Sequence, residues 1–468
     1  MSRLDPRSLF SAGLALTCLG CGSGEQTPDL TGTPIVLVVL DALAAGHVGH
    51  LGYPVSTTPN LDALAAEGVT YGQAFAPTPY TLASIPSLFT GRLPDRHGVT
   101  QGEHVLHADE LTLAELLQSR GYQTFGAVAN IQGGSIHDLQ QGFEVYEELF
   151  RGEGGKAMEI VPPEAFPPVV ERWLLERDPE RPPFLYLHLL QPHMPYDPPD
   201  EHREGLLRPG YRGPFVDGMD REWMVEFAQR GGKMRLGSSP NHISKADAEA
   251  VQGLYDGNIR HADAQLGRIL QALEGAGLSD EALVIVTSDH GEAFWQHGML
   301  GHSRQVYDEM VQMPLVLRFP EHLGVAPRRV DDLTSLMDLF PSICAWLDAP
   351  VAARLDGRPL AGLFGEPGDP DRELYLRSFH REPSIALRGA DHKVLIDRMP
   401  PRTDGEVLAF DLAADPGEER PLDAPSPELL ARLRALEAEL AALEAGTVSG
   451  EGPTDAEREL IEHLGYTE

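Results

Sequence analysis

The sequence is short of three things, and each shortage excludes a class of protein. It has 3 cysteines in 468 residues. Two of them, Cys18 and Cys21, lie in the N-terminal leader, so Cys344 has no partner left and a disulfide-stapled fold is excluded. Positive charge is scarce: 37 Lys and Arg stand against 71 Asp and Glu, a net charge of -34. That balance argues against nucleic acid and anionic membrane surfaces as electrostatic partners, and an anionic substrate would need local positive charge such as a bound metal ion. Long apolar runs are missing too. The stretch Leu9 to Leu19 is too short to span a bilayer.

What is present begins with that stretch. Arg3 and Arg7 precede it and a small polar segment follows, the layout of an export signal. Cys18-Leu19-Gly20-Cys21 resembles a bacterial lipoprotein cleavage site, with Cys18 where leucine is usual. We therefore expect a signal peptide over residues 1–21 and a tether over 22–33. The protein is expected to be exported to the periplasm or cell surface and held on the membrane through a lipid at Cys21.

Two apolar runs, Ile35–Leu40 and Leu283–Thr287, read as strands buried on both faces, as in a parallel sheet covered by helices. The first runs into Asp41 and the second into Ser288-Asp289-His290-Gly291, and open α/β sheets build sites at such strand ends. The bland alternative for the second is a polar turn with Asp289 as a local cap. Further strands are expected from Val69, at Thr124–Ala129, Phe184–Leu189 and Pro314–Phe319, with helices at 60–68, 111–121, 246–273 and 333–347. Residues 197–245 are Gly- and Pro-rich and read as loops and short helices over the site rather than core. From about Arg372 the texture changes to short strands at 385–388, 393–396 and 407–412, then a helix opened by Ser426-Pro427 with leucines at 429, 433, 436, 440 and 443.

The segment Thr78 to Arg92 is a hydroxyl-rich helix entry that stops at Gly91. Such hydroxyls are commonly caps, but a helix N-terminus also favours bound or developing negative charge, which suits a nucleophile. Asp41, Thr81, Asp289 and His290 can gather at one sheet edge, and oxygen-rich ligation with one imidazole suits Ca²⁺, Mg²⁺, Mn²⁺ or Zn²⁺. His193, His297 and His302 could contact an anion there or protonate a leaving group.

These motifs, in order, resemble the sulfatase family of the alkaline phosphatase superfamily. Val38-Val39-Leu40-Asp41 with Gly52-Tyr53 and Thr58 to Gly68 is similar to the family's opening, and Thr90-Gly91-Arg92-Leu93-Pro94 before His97-Gly98 to the end of its nucleophile motif. Pro192-His193-Met194-Pro195-Tyr196, Ser288 to Glu292, Gly301-His302 and Asp411-Leu412 with Asp415 to Glu418 follow. The resemblance implies an α/β fold: an alkaline phosphatase-like sandwich with a large mainly parallel sheet between helices, plus a small C-terminal antiparallel sheet and helix. It places a catalytic domain over 34–370, a subdomain over 371–446 and a tail over 447–468. It implies one divalent metal ion held by Asp41, Asp289 and His290 with the Thr81 oxygen nearby, a second ion being compatible. Cleavage of a sulfate or phosphate ester follows, with His193 and His302 at the anion or leaving group.

The departures are specific. Where the family motif begins with Cys or Ser that is oxidised to formylglycine, this chain has Thr81, which cannot form it; the motif's Pro and Arg are Ala83 and Ile85. Ala42 and Ala44 stand where relatives have Asp and Arg, and no lysine occurs around Val128-Ala129-Asn130. Thr81 is similar to the nucleophile of phosphoesterases and phosphotransferases of the superfamily. Three readings follow: a hydrolase of a small, glycan or lipid anionic ester, a phosphotransferase, and a catalytically weakened lipoprotein that binds such anions.

Overall fold

The computed structural model describes residues 27–468 apart from 152–159, 220–234, 237–241, 353, 380–382, 399–404, 444–446, 451 and 465–468. The segments expected as signal peptide, with Cys21, and most of the expected tether lie outside the described residues.

The apolar runs do form the centre of the sheet. Its strands are β1 (Ile35–Leu40), β2 (Val69–Tyr71), β3 (Gln123–Val128), β4 (Val145–Glu148), β5 (Pro183–Leu189), β6 (Leu283–Thr287), β7 (Leu315–Arg318) and β8 (Arg328–Val330), in the spatial order β8-β2-β7-β6-β1-β5-β3-β4. The block β6-β1-β5-β3-β4 is parallel throughout, and only β7 runs against its neighbours β2 and β6. Every residue of β1, β5 and β6 is buried, because helices cover both faces and leave no solvated side to select polar residues. Register puts Val39 beside both His188 and Thr287, and Val128 beside His188. The C-terminal ends of four adjacent strands therefore open on the same edge.

A second sheet of β9 (Leu374–Arg377), β10 (Ile385–Arg388), β11 (His392–Asp397) and β12 (Glu406–Asp411) is antiparallel. One face packs on Phe75, Val306 and Val311, and the other receives the helix Pro427–Ala441 through Leu433 and Leu440. A buried ion cluster pins this sheet: Lys393 Nζ lies 2.8 Å from Asp308 Oδ1 and 2.7 Å from Glu418 Oε1, while Arg388 meets Asp308 at 3.1 Å. Asp308 opens the short helix Asp308–Val311, whose Met310 and Glu309 carbonyls accept from Gly291 and Glu292 N–H. The small sheet is thereby tied to the turn after β6.

Some expectations need amending. The helix expected over 333–347 starts at Leu339, behind a short strand and a 3₁₀ turn, because Ser335 and Asp338 cap each other and delay it. Within 197–245, read as loops and short helices rather than core, Tyr211, Phe215, Met219 and Ile243 are nonetheless buried in the main core as single anchors without periodicity. The stretch read as a tail contains a helix, Asp455–His463, and Leu460 and Leu464 join that core.

Beneath the helix Thr81–Thr90, His97 is buried, with Nε2 3.0 Å from Ser87 Oγ and Nδ1 accepting from Val99 N–H. Burial pushes its imidazole down to about 3. The unfolded chain binds the proton near the ordinary histidine value of 6.5, so this contribution is complete above that pH and is lost as pH falls through the interval between 6.5 and about 3. Unfolding free energies measured from pH 6 down to pH 4 are expected to fall by up to about 1.4 kcal/mol per pH unit from such an imidazole. An unchanged slope in His97→Gln would refute the assignment.

Candidate active site and metal centre

Asp41 leaves the end of β1 fully buried, and the backbone turns at once, with Ala42 at φ 59°. That left-handed conformation is costly for alanine and is held from several sides. Ala42 N–H donates to Asp289 Oδ1 at 3.1 Å, Tyr255 OH donates to the Ala42 carbonyl at 2.7 Å, and Leu43 N–H donates to Ser288 Oγ at 2.8 Å. The turns after β1 and β6 thus lock each other, bringing Asp41 to Asp289.

The two oxygens of Asp41 have different surroundings. Oδ2 accepts from Asn130 Nδ2 at 2.6 Å and from His188 Nε2 at 3.0 Å. Oδ1 finds no hydrogen-bond partner among the described residues, and neither does Asp289 Oδ2, although both are buried. These two orphans lie 3.9 and 3.5 Å from His290 Nε2. His290 donates Nδ1–H to the Gly291 carbonyl at 2.9 Å, which leaves its Nε2 lone pair facing the carboxylates. Buried polar atoms are rarely left unsatisfied, so two anionic oxygens and an imidazole lone pair around one point fit a divalent cation.

Burial would raise the Asp41 carboxyl, yet the imidazoles of His193, His188 and His290 hold it well below the ordinary range. For His290 burial acts to lower the pKa, and the Asp289 and Asp41 carboxylates override it and raise it.

Thr81 is the first residue of its helix and fully buried, with Oγ1 3.2 Å from His290 Nε2. The preceding Tyr80 makes no side-chain cap, so the cap reading of the hydroxyl-rich entry does not describe this helix start. Ser84, one turn on, donates to the Asp289 carbonyl at 2.5 Å and ties the helix to the turn after β6. Ile85 is buried in the core.

Sequence-expected histidines divide here. His193 and His302 sit beside the centre, with ring centroids 4.8 Å apart and His302 4.4 Å from His290. His297 does not join them. Its Nδ1 bonds Glu309 at 2.7 Å, its Nε2 bonds the Glu418 carbonyl at 3.0 Å, and it stacks on Tyr307, so both nitrogens serve packing.

His188 is the site residue that sequence reasoning missed. It forms a buried group of possible metal ligands with Asp41 and Asp289, their donor atoms lying within 4.8 Å of one another. Burial keeps the neighbouring Tyr186 phenol protonated, so its OH donates to His188 Nδ1 at 3.2 Å and His188 Nε2–H donates to Asp41. In that tautomer His188 orients Asp41, and His290 offers the free lone pair. The one signal was a lone histidine inside an otherwise apolar strand.

Comparison with known proteins agrees with this geometry. The sulfatase family matches residues 33–349. Human arylsulfatase A is 28% identical, covering 95% of this chain and 93% of its own length. The ulvan-active sulfatase of Formosa agariphila is 24% identical over 87% of this chain and 81% of its own. Among solved structures, the phosphonate monoester hydrolase of Agrobacterium radiobacter shares the fold with a TM-score of 0.68 at 24% identity, covering 88% of this chain and 96% of its own. A protein solved with its substrate D-glucosamine-2-N,6-O-disulfate gives 0.69 at 19% identity, over 88% of this chain and 98% of its own. The chain belongs to the sulfatase family, and with it to the hydrolases of sulfuric or phosphoric esters.

Proposed function

We propose that this protein is an exported, metal-dependent hydrolase that opens an anionic ester by attack of Thr81 Oγ1. The observation that carries the proposal is the 3.2 Å approach of that hydroxyl to His290 Nε2, beside two orphaned carboxylate oxygens. Asp41, Asp289 and His290 would hold one divalent cation, which when bound supplies positive charge that favours an alkoxide and offsets charge on the reacting group. The protein's own groups do the rest. The helix that starts at Thr81 presents its N-terminal N–H groups and dipole to the anion. With its Nε2 lone pair assigned to the cation, His290 is not the base, so the Thr81 proton leaves to solvent, and His193 and His302 contact the anion and the leaving oxygen.

Side-chain charge bears on the substrate. Where the resemblance expects a motif arginine the chain has buried Ile85, and no lysine stands around Val128-Ala129-Asn130, where Asn130 is bonded to Asp41. With those cations absent, a singly charged group, a sulfate ester or a phospho- or phosphonodiester, suits the pocket better than a dianionic phosphate monoester. Thr81 favours phosphorus between these, because a threonine ester offers no carbonyl route for release and must itself be hydrolysed. Sulfated glycan or lipid esters remain the substrates to compare, and a lipid at Cys21 would keep the enzyme at the membrane.

The test is turnover of 4-nitrophenyl sulfate, 4-nitrophenyl phosphate and bis(4-nitrophenyl) phosphate with and without chelator. Activity is expected to vanish on chelation and return with a divalent cation, and kcat/KM for the diester should exceed that for the monoester at least about tenfold. Chelator-resistant turnover would refute metal dependence.

A further inference from the structure

Resting on the ester hydrolase reading, we infer that Phe379, paired with Tyr80, forms a subsite for a ring-shaped leaving group, so that the C-terminal sheet takes part in choosing the substrate. Three distant segments meet at the rim of the centre. Ser303, the residue after His302, donates its N–H to the Pro79 carbonyl at 2.8 Å, and its own carbonyl accepts from Phe379 N–H at 2.7 Å. Arg377 N–H adds a third bond, to the Pro77 carbonyl at 3.0 Å. These bonds carry the end of β9 to the entry of the Thr81 helix, where the Phe379 and Tyr80 rings lie with centroids 5.1 Å apart and planes tilted by 41°.

Packing does not account for Phe379. The small sheet is already held by Phe75, Val306 and Val311 and by the ion cluster around Lys393. Phe379 joins none of the buried apolar clusters among the described residues, and both it and Tyr80 are partly exposed although Thr81 beside them is fully buried. The backbone that presents the ring is nonetheless fixed. Ser378 is buried, its N–H donates to the Ser384 carbonyl at 2.8 Å, and its Oγ accepts from Ser384 N–H at 2.9 Å. The reaction decides which part of a substrate comes here: Thr81 Oγ1 attacks from one side, and the bond to the leaving oxygen opens on the other, where His302 stands. Phe379 is one hydrogen bond from the residue after His302, so the group beyond the leaving oxygen passes the aromatic pair. A flat ring gains contact there by stacking face or edge on, whereas a flexible chain gains little. An aryl ring and the apolar face of a pyranose share this chemistry.

The test uses the full chain with sulfate esters and phosphodiesters in pairs matched in leaving-group acidity, phenyl against fluoroalkyl. Phe379→Leu keeps an apolar side chain and removes the ring. It is expected to lower kcat/KM on the phenyl ester about tenfold, mostly through KM, and on the fluoroalkyl ester less than about twofold, while Phe379→Trp keeps the preference. Equal losses on both esters, or no loss on the phenyl ester, would overturn the inference. Binding judges the subsite without turnover, in Thr81→Ala, where the ester stays whole. Fluorine-19 titrations with 4-fluorophenyl sulfate and a fluoroalkyl sulfate should give a Kd at least about fivefold tighter for the aryl ester, and adding Phe379→Leu should erase the difference. Glucose 6-sulfate, competed against the aryl ester, separates the two ring sources: the ring whose affinity falls with Phe379→Leu is the one the subsite takes, and a fall for neither overturns the inference. A chain that turns over none of the esters would sink the hydrolase reading, and the titrations would still decide the role of Phe379.

Discussion

Thr81→Ala is expected to lower kcat by at least about 10³-fold on any ester the protein cleaves, while metal binding and folding persist. The hydroxyl is the only reactive group on that side chain, and its oxygen sits 3.2 Å from His290 Nε2. Alanine is a good helix former, and the truncation costs about 1 kcal/mol in this buried setting. A large loss of rate with a small loss of stability is therefore the signature of a nucleophile. Thr81→Ser restores the oxygen without the methyl group that restricts the rotamer, so it should recover most of the lost rate but not all. Full activity in Thr81→Ala would remove Thr81 from the chemistry, whereas no turnover by the unaltered chain with metal binding retained would leave the centre as an anion-binding site.

The structure explains why some of this was readable from residues alone. β1 and β6 are covered on both faces, so each had to be a continuous apolar run, and the first polar residue after each run marks the edge where ligands stand. Asp41, Asp289 and His290 fall there, and Thr81 marks itself by opening a helix that glycine closes at position 91. The antiparallel subdomain was similarly plain from its short alternating strands. What could not be read depends on register between distant segments. His188 reaches Asp41 across 147 positions because β1 and β5 pair with Val39 beside His188, and an isolated histidine in a strand gives no hint of its neighbour. Glu292 and Tyr196 are 96 positions apart and meet only once both loops are folded over the sheet edge. His297 failed for the converse reason: its surroundings in sequence resemble a site, and packing against Tyr307 and Glu418 uses both of its nitrogens.

Metal removal is expected to destabilise the protein, and Asp289→Asn to abolish that response while stabilising the metal-free chain. Without a cation, Asp41 Oδ1 and Asp289 Oδ2 are buried, anionic and unsatisfied, with the His290 lone pair between them. A cation at a thousand times its dissociation constant adds about 4 kcal/mol to the folded state, seen as a rise of several degrees in Tm. Asparagine at position 289 keeps the oxygen that accepts from Ala42 and His290 N–H, and replaces the orphan by an amide that can donate to Asp41 or to His290. The metal-free variant should therefore unfold about 1 to 3 kcal/mol later than the metal-free parent, because a repulsive pair has become a hydrogen bond. Its Tm should no longer respond to added cation, and its turnover should be lost. These two responses separate a metal centre from a structural acidic pair. In a structural pair the parent would show no cation-dependent rise, and Asp289→Asn would change stability alike with and without chelator.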